Sequence, residues 1–148
     1  VTRMRVFTQY NSLPTSCATG NGGEAEDYTI NIIQPVNAEM NIKGNNISIA
    51  NGFNAPDGLN NTLFGSTNVG SAGPIKNFFV ENIGATTLDL TGTPIVEIIG
   101  AHPGDFIVNQ QAAASVTSTS NSEFIIQFFP TADGTRTATV RIENTDSD

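Results

Sequence analysis

Residues 123–144, EFIIQFFPTADGTRTATVRIEN, decide the fold class of this chain. Apolar residues alternate with other residues in two runs, and the residues that share a face are Phe124, Ile126 and Phe128 in the first run and Ala138, Val140 and Ile142 in the second. Such a period of two is typical of a strand with one buried face. Pro130, Asp133 and Gly134 lie between the runs and favour a turn. The stretch therefore predicts two β-strands paired as a hairpin, against which the rest of the chain packs.

Short alternating runs of the same kind recur along the chain, and Gly, Pro and Asn residues separate them. The strands predicted from these runs cover residues 3–10, 28–33, 39–43, 75–82, 87–90, 94–99 and 106–108. No stretch keeps a helical period. Many short strands at near-regular spacing, with turn residues between them, are typical of an antiparallel β-sandwich, so we expect an all-β fold.

The strand pattern is interrupted at residues 34–37, which read Gln-Pro-Val-Asn. Pro35 cannot donate to a strand ladder, and it restricts the backbone of the residue before it. We therefore place a domain boundary here, with a partial β module in residues 1–35 and the sandwich in residues 36–148. Because the chain opens at Val1 without a Met, inside a predicted strand, we interpret it as an excerpt from a longer protein.

Composition excludes several classes of function. Of the 148 residues only 14% are charged, and the formal net charge is −8. Nucleic-acid binding and binding to an anionic membrane surface both need clustered cations, so we expect neither. No apolar run has the length of a membrane span. The single cysteine, Cys17, excludes an internal disulfide and a multi-cysteine metal site.

Three carboxylates lie within four residues beside a glycine-rich turn, at Glu24, Glu26 and Asp27. Carboxylate oxygens are ligands for Ca²⁺, so these residues are the candidate calcium site, although the EF-hand spacing is absent. The alternative is that they hydrogen-bond backbone amides of the neighbouring loop. Asp146 and Asp148 are candidates for a second ion between domains. We expect no other cofactor.

Catalytic motifs are scarce. His102 is the only histidine, so a Ser-His-Asp triad or a histidine metal site would depend on it alone. It lies in Ala101-His102-Pro103-Gly104-Asp105, whose composition predicts a surface turn. Residues 20–23 are rich in glycine, but no Lys-Ser or Lys-Thr follows them, as a phosphate loop requires. We therefore assign no catalytic residue and predict that the chain is not an enzyme.

Several separate pieces of residues 36–148 resemble the choice-of-anchor D domains of bacteria, which are immunoglobulin-like sandwiches related to the Hydin and abnormal-spindle type. The pieces, in order, are Met40-Asn41-Ile42-Lys43-Gly44-Asn45, Asn77-Phe78-Phe79-Val80-Glu81-Asn82, Leu88-Asp89-Leu90-Thr91-Gly92, Asp105-Phe106 and Gly134-Thr135-Arg136. The resemblance implies an immunoglobulin-like antiparallel sandwich. In relatives one more strand follows the pair at the C-terminal end, so we expect the edge beside residues 138–142 to be open or paired by another segment.

The beginning of the chain is similar to the end of a GEVED domain. The residues concerned are Arg3-Met4-Arg5-Val6, Cys17 and Gly23-Glu24-Ala25-Glu26-Asp27-Tyr28-Thr29-Ile30. This module occurs in secreted Bacteroidetes proteins. Together the two resemblances imply a large secreted or cell-surface protein, often exported by the type IX route and sometimes attached to a protease.

Large apolar residues at outward strand positions depart from the choice-of-anchor pattern, since relatives carry polar residues there. These residues are Phe79, Ile125 and Phe129. An exposed apolar patch often meets a partner, so we predict that they contact a neighbouring domain of the same chain or another copy. The alternative is that a loop such as residues 51–73 folds over them.

Three functions remain open at this point. The first is a non-catalytic structural or adhesive module of a secreted or surface protein, with a glycan or protein ligand. The second is a self-assembling fibre or sheath subunit that shares strands between copies. The third is an accessory binding domain of a secreted hydrolase. We favour the first because it requires only a polar, weakly charged sandwich.

Overall fold

The computed structural model describes residues 2–9, 23–30 and 36–147, and the side chains of residues 28–30 and 36–147. The chain divides into two compact units, Val1–Ile33 and Gln34–Asp148, and each is described by itself. In the first unit β1 (Thr2–Gln9) and β2 (Gly23–Ile30) form an antiparallel pair. Thr2 lies opposite Ile30, and Gln9 lies opposite Gly23.

The second unit consists of short strands and one 3₁₀ turn. In chain order they are β3 (Met40–Gly44), β4 (Ile47–Ile49), β5 (Ile75–Asn82), β6 (Leu88–Asp89), β7 (Glu97–Ile99), the 3₁₀ turn Pro103–Asp105, β8 (Phe106–Gln110), β9 (Ser115–Val116), β10 (Asn121–Phe128) and β11 (Thr139–Arg141). Five of them form one antiparallel sheet in the order β4-β3-β5-β10-β8. The predicted all-β fold is confirmed.

The remaining strands form the layer that faces this sheet. β6 pairs with β9, β7 pairs with β11, and a bridge between Leu90 and Asn144 extends the pairing toward the C-terminal end. Inward residues of both layers meet in one core, which consists of Ala38, Phe78, Val80, Leu88, Leu90, Val96, Ala112, Val116, Phe124 and Ile126. The two layers and the core between them make this unit a β-sandwich.

The hairpin predicted for residues 123–144 is wrong. β10 lies between β5 and β8 in the five-stranded sheet, whereas β11 pairs with β7 in the other layer. The segment between them crosses from one layer to the other instead of turning back on itself. Val140, which the alternation places on a buried face, is 42% exposed. Alternation shows which face of a strand is buried, but it does not show which strand lies beside it.

The long loop of residues 51–73 closes one end of the core. Phe64 packs edge-on against Phe106 at 5.4 Å and lies 6.3 Å from Phe128. At Gly44 the loop comes so close that a Cβ would lie 1.9 Å from the carbonyl oxygen of Asn60, so only glycine fits there. These contacts lie on the inner side of the sheet. They therefore do not support the alternative that this loop folds over the outward residues Phe79, Ile125 and Phe129.

Candidate functional site

The most deeply buried charge of the described side chains is Asp105, at the end of the 3₁₀ turn, where the residue is 1% exposed. Its Oδ1 accepts hydrogen bonds from the Thr131 amide at 3.0 Å and from the Thr131 hydroxyl at 2.6 Å. Its Oδ2 accepts a hydrogen bond from Nε of Arg136. The prediction that Asp105 lies in a surface turn is wrong, because the loop after β10 folds over this residue.

Backbone contacts join the same two segments. The Phe129 amide donates to the Asp105 carbonyl at 2.7 Å, and the His102 amide donates to the Thr137 carbonyl at 2.9 Å. The Thr137 amide donates to Nδ1 of His102 at 3.0 Å. His102 therefore fastens the crossing segment to the 3₁₀ turn. We call this arrangement, in which His102 and Asp105 hold residues 129–137, a structural clasp.

The clasp makes the Asp105 carboxyl unusually acidic. The hydrogen bonds from the Thr131 side chain and from Arg136 lower its pKa from 3.8 to about 2, against the opposing effect of burial. A carboxyl whose pKa is lower in the folded state stabilises the fold fully above its unfolded pKa. This contribution is then lost as the pH falls through the folded value.

We expect the free energy of unfolding to fall between pH 3.8 and about 2 more steeply in the wild type than in an Asp105→Asn variant. The variant loses the charge that binds Arg136, so it is less stable at neutral pH. For the same reason its free energy of unfolding changes less as the pH falls. Asp133→Asn is the matched control, because Asp133 is exposed in the same loop. Urea unfolding at several pH values measures the effect, and equal slopes in all three proteins would contradict it.

A second buried polar residue, Asn82 at the end of β5, binds four backbone groups and is 1% exposed. Its Oδ1 accepts from the Gly84 amide at 3.0 Å and from the Glu39 amide at 3.3 Å. Its Nδ2 donates to the carbonyls of Thr86 at 2.7 Å and Val116 at 2.9 Å. Both polar atoms of this side chain thus bind backbone groups. No pattern in the sequence predicted this role for Asn82.

Lys43, Asn41 and Glu81 form a cluster on the outer face of the five-stranded sheet. Nζ of Lys43 lies 2.7 Å from one oxygen of Glu81, and Nδ2 of Asn41 donates to the other at 2.9 Å. The hydrogen bond from Lys43 is the main cause that lowers the pKa of Glu81. The ion pair of Lys43 with Glu81 joins β3 to β5.

An open cleft of 230 Å³ adjoins Asn82 and is lined by residues 81–83 and 119–121. Its volume is below the range of about 300–1,000 Å³ that is usual for small-molecule sites. It is bordered mainly by polar groups, among them the Glu81 carboxylate that Lys43 already binds. The cleft offers a shallow polar contact rather than an enclosed reaction site.

The predicted partner-contact residues lie on the outer side of the five-stranded sheet or just beyond it. Phe79 follows the buried Phe78 in β5, and Ile125 follows the buried Phe124 in β10, so both point away from the core. All three predicted residues, including Phe129 after β10, are half-buried. The register places Phe79 opposite Glu123 and Ile125 opposite Asn77, so the two apolar side chains are diagonal neighbours. A partner contact here stays a prediction.

The predicted calcium ligands Glu24, Glu26 and Asp27 belong to β2, and their side chains lie outside the described residues. The calcium site therefore stays a prediction. Among the described residues, no group of three His, Cys, Asp or Glu side chains is arranged to hold a metal ion. Cys17 also lies outside the described residues.

Asp146, a candidate for an interdomain ion, binds backbone in the structure. Its Oδ2 accepts from the Met40 amide at 2.7 Å, and its Oδ1 accepts from the Ser147 amide at 2.8 Å. The carboxylate thereby ties the C-terminal segment to the start of β3. Asp148, the other candidate, lies outside the described residues.

Comparison with protein families gives a match to the beginning of the chain. Residues 1–31 match the GEVED domain, which confirms the resemblance noted for the beginning of the chain. No curated protein and no solved structure matches the chain. The resemblance of residues 36–148 to choice-of-anchor D domains and the Bacteroidetes source stay predictions. In the part of the chain that the structure describes, no helix is long and apolar enough to cross a membrane.

Proposed function

We propose that this chain is a non-catalytic structural or adhesive module of a large secreted or cell-surface bacterial protein. The observation that supports it best is the GEVED match over residues 1–31, because that module is expected in secreted proteins. The sandwich that follows is consistent with a spacer or an adhesive unit, since short strands around one core give a rigid body with loops at its ends.

The way in which the buried polar side chains are used also supports a structural role. Asp105 binds Thr131 and Arg136, and Asn82 binds four backbone groups. The contacts of Asp105 with Thr131 and Arg136, and those of Asn82 with Glu39 and Val116, join segments that are distant in sequence. Side chains used in this way stabilise the module and are not poised to bind or transform a substrate.

Antibodies raised against the purified chain and applied to intact cells of the organism that produces it test the proposal. We expect labelling of intact cells or of the culture medium, and loss of the cell label after brief external protease treatment. Labelling that appears only after lysis would contradict the proposed location. A glycan array probed with the same protein distinguishes an adhesive unit from a spacer, and turnover of peptide, ester or glycoside substrates would contradict a non-catalytic role.

A further inference from the structure

In residues 137–145, the backbone hydrogen bonds to neighbouring strands lie along one edge. The Thr137 carbonyl accepts from the His102 amide at 2.9 Å, the Glu143 carbonyl accepts from the Thr91 amide at 2.8 Å, and the Thr145 amide donates to the Asp89 carbonyl at 3.0 Å. β11 itself lies beside β7. These hydrogen-bonded residues all have odd numbers.

Backbone groups of successive residues in a strand point to opposite edges. The even-numbered residues Ala138, Val140, Ile142 and Asn144 therefore present their N–H and C=O groups to the other edge, which we call the 138–144 edge. Within residues 36–147, no strand pairs along it, and the one hydrogen bond recorded there is the weak contact of the Asn144 side chain with the Ile142 carbonyl at 3.3 Å.

Of the devices that usually block strand pairing, residues 138–144 carry only exposed charged side chains, at Arg141 and Glu143. Edges are protected by proline, by inward-pointing charges, by bulges or by a covering loop. The even-numbered residues here are three apolar residues and an asparagine, and no proline follows Pro130. Val140 is 42% exposed.

The charges beside this edge favour a second copy of the chain as the partner strand. Arg141 and Glu143 flank Ile142 on the outward face, with side chains 52% and 56% exposed. If two copies pair antiparallel about Ile142, Arg141 of each copy lies opposite Glu143 of the other, which gives two attractive pairs. Pairing centred on Arg141 would instead place Arg141 opposite the partner subunit's Arg141, and cross-strand like charges are destabilising. Within one chain the guanidinium donates to Glu97 Oε2 through Nε at 2.8 Å and Nη2 at 2.5 Å, and Nη2 lies 3.8 Å from Oε1 of Glu143. The guanidinium has five N–H donors, so its remaining donors can bind a carboxylate of the second copy.

We propose that two copies of this chain associate through the 138–144 edge, antiparallel and centred on Ile142, with Arg141 of each copy facing Glu143 of the other. In this dimer the layer that contains β11 in one copy continues directly into the same layer of the other copy. Because the same surface is used on both copies, the contact closes after two chains and does not propagate into a fibre. This association goes beyond the proposed module function and does not depend on it.

Sedimentation equilibrium of the 148-residue chain at rising concentration tests the proposal, together with the charge-reversal variants Arg141→Glu and Glu143→Arg. Each variant alone places like charges opposite each other twice, so we expect its dimer to dissociate about tenfold more readily than that of the wild type. An equimolar mixture of the two variants restores both attractive pairs, and we expect it to form a heterodimer of nearly wild-type affinity. Circular dichroism of each variant checks that it remains folded.

Four results would overturn the proposal. A wild type that stays monomeric at high concentration would show that the edge does not bind a second copy. A dimer that neither variant weakens would show that the register is wrong. Failure of the mixed variants to associate would exclude the charge pairing. Growth beyond two chains would exclude a closed contact and favour the strand-sharing fibre.

Discussion

Replacement of Asn82 by Leu is expected to lower the free energy of unfolding by about 3–5 kcal/mol, because a buried backbone group left without a partner costs roughly 1–3 kcal/mol. The variant removes the hydrogen bonds that Asn82 makes with the Gly84 and Glu39 amides and with the Thr86 and Val116 carbonyls. Small movements of the backbone and entry of water into the site would restore only part of the lost free energy. Urea or guanidinium unfolding measures the change.

Two further variants separate hydrogen bonding from packing at Asn82. Asn82→Asp has nearly the same volume, but at neutral pH its second oxygen faces the Thr86 and Val116 carbonyls, so we expect a loss of similar size. Asn121→Leu is the matched control, because Asn121 is exposed at the start of β10, and surface changes of this kind usually stay within about 0.5 kcal/mol. If Asn82→Asp were as stable as the wild type, the hydrogen bonds from Nδ2 would not matter.

Replacement of Gly84 by Ala is expected to have an effect of similar size for a steric reason. A Cβ at this position would lie 2.0 Å from the Asn37 carbonyl oxygen and 2.6 Å from the Glu39 amide nitrogen. The segment before β3 would have to move away. That movement would break the hydrogen bonds of the Ile83 amide with Glu39 and of the Ala85 amide with Asn37, both 2.9 Å long. Overpacking alone costs about 1–3 kcal/mol, and the lost hydrogen bonds add to it.

Gly104→Ala is the control for this glycine, because no atom lies within 4 Å of a Cβ placed there. We expect the control to unfold at nearly the wild-type denaturant concentration. Hydrogen exchange gives a local readout, since the amides of Ile83 and Ala85 should lose protection in Gly84→Ala. Wild-type protection and stability in that variant would show that the close approach is easily relieved.

The strand faces could be predicted from the sequence, because alternation of apolar residues depends only on the geometry of an extended chain. The strand predicted at residues 75–82 is β5, Ile75–Asn82, and its buried residues Phe78 and Val80 lie where the alternation places them. The turn predicted at residues 101–105 occurs there and contains the 3₁₀ turn Pro103–Asp105. Such features can be predicted from residues that are close together in the sequence.

The polar clusters could not be predicted in the same way. Asp105 stands in a segment whose composition is that of a surface turn, and its cation Arg136 is 31 positions further along the chain. A signal was present, since Asp105-Phe106 and Gly134-Thr135-Arg136 both belong to the resemblance with choice-of-anchor D domains, but nothing in the sequence connects them. In the sequence, Asn82 is likewise an ordinary residue at a strand end, because its partners Glu39 and Val116 are 43 and 34 positions away.

The sequence by itself determined the all-β class, the buried face of the longer strands and the GEVED character of the first residues, because these depend on local periodicity and on a contiguous match. Only the tertiary structure decided that β10 and β11 belong to different layers, that Asp105 is a buried clasp and that the 138–144 edge has no strand beside it within the described residues. The physical reason is that strand pairing and the burial of a charge depend on partners distant in sequence. Such partners are selected by the packing of the whole core.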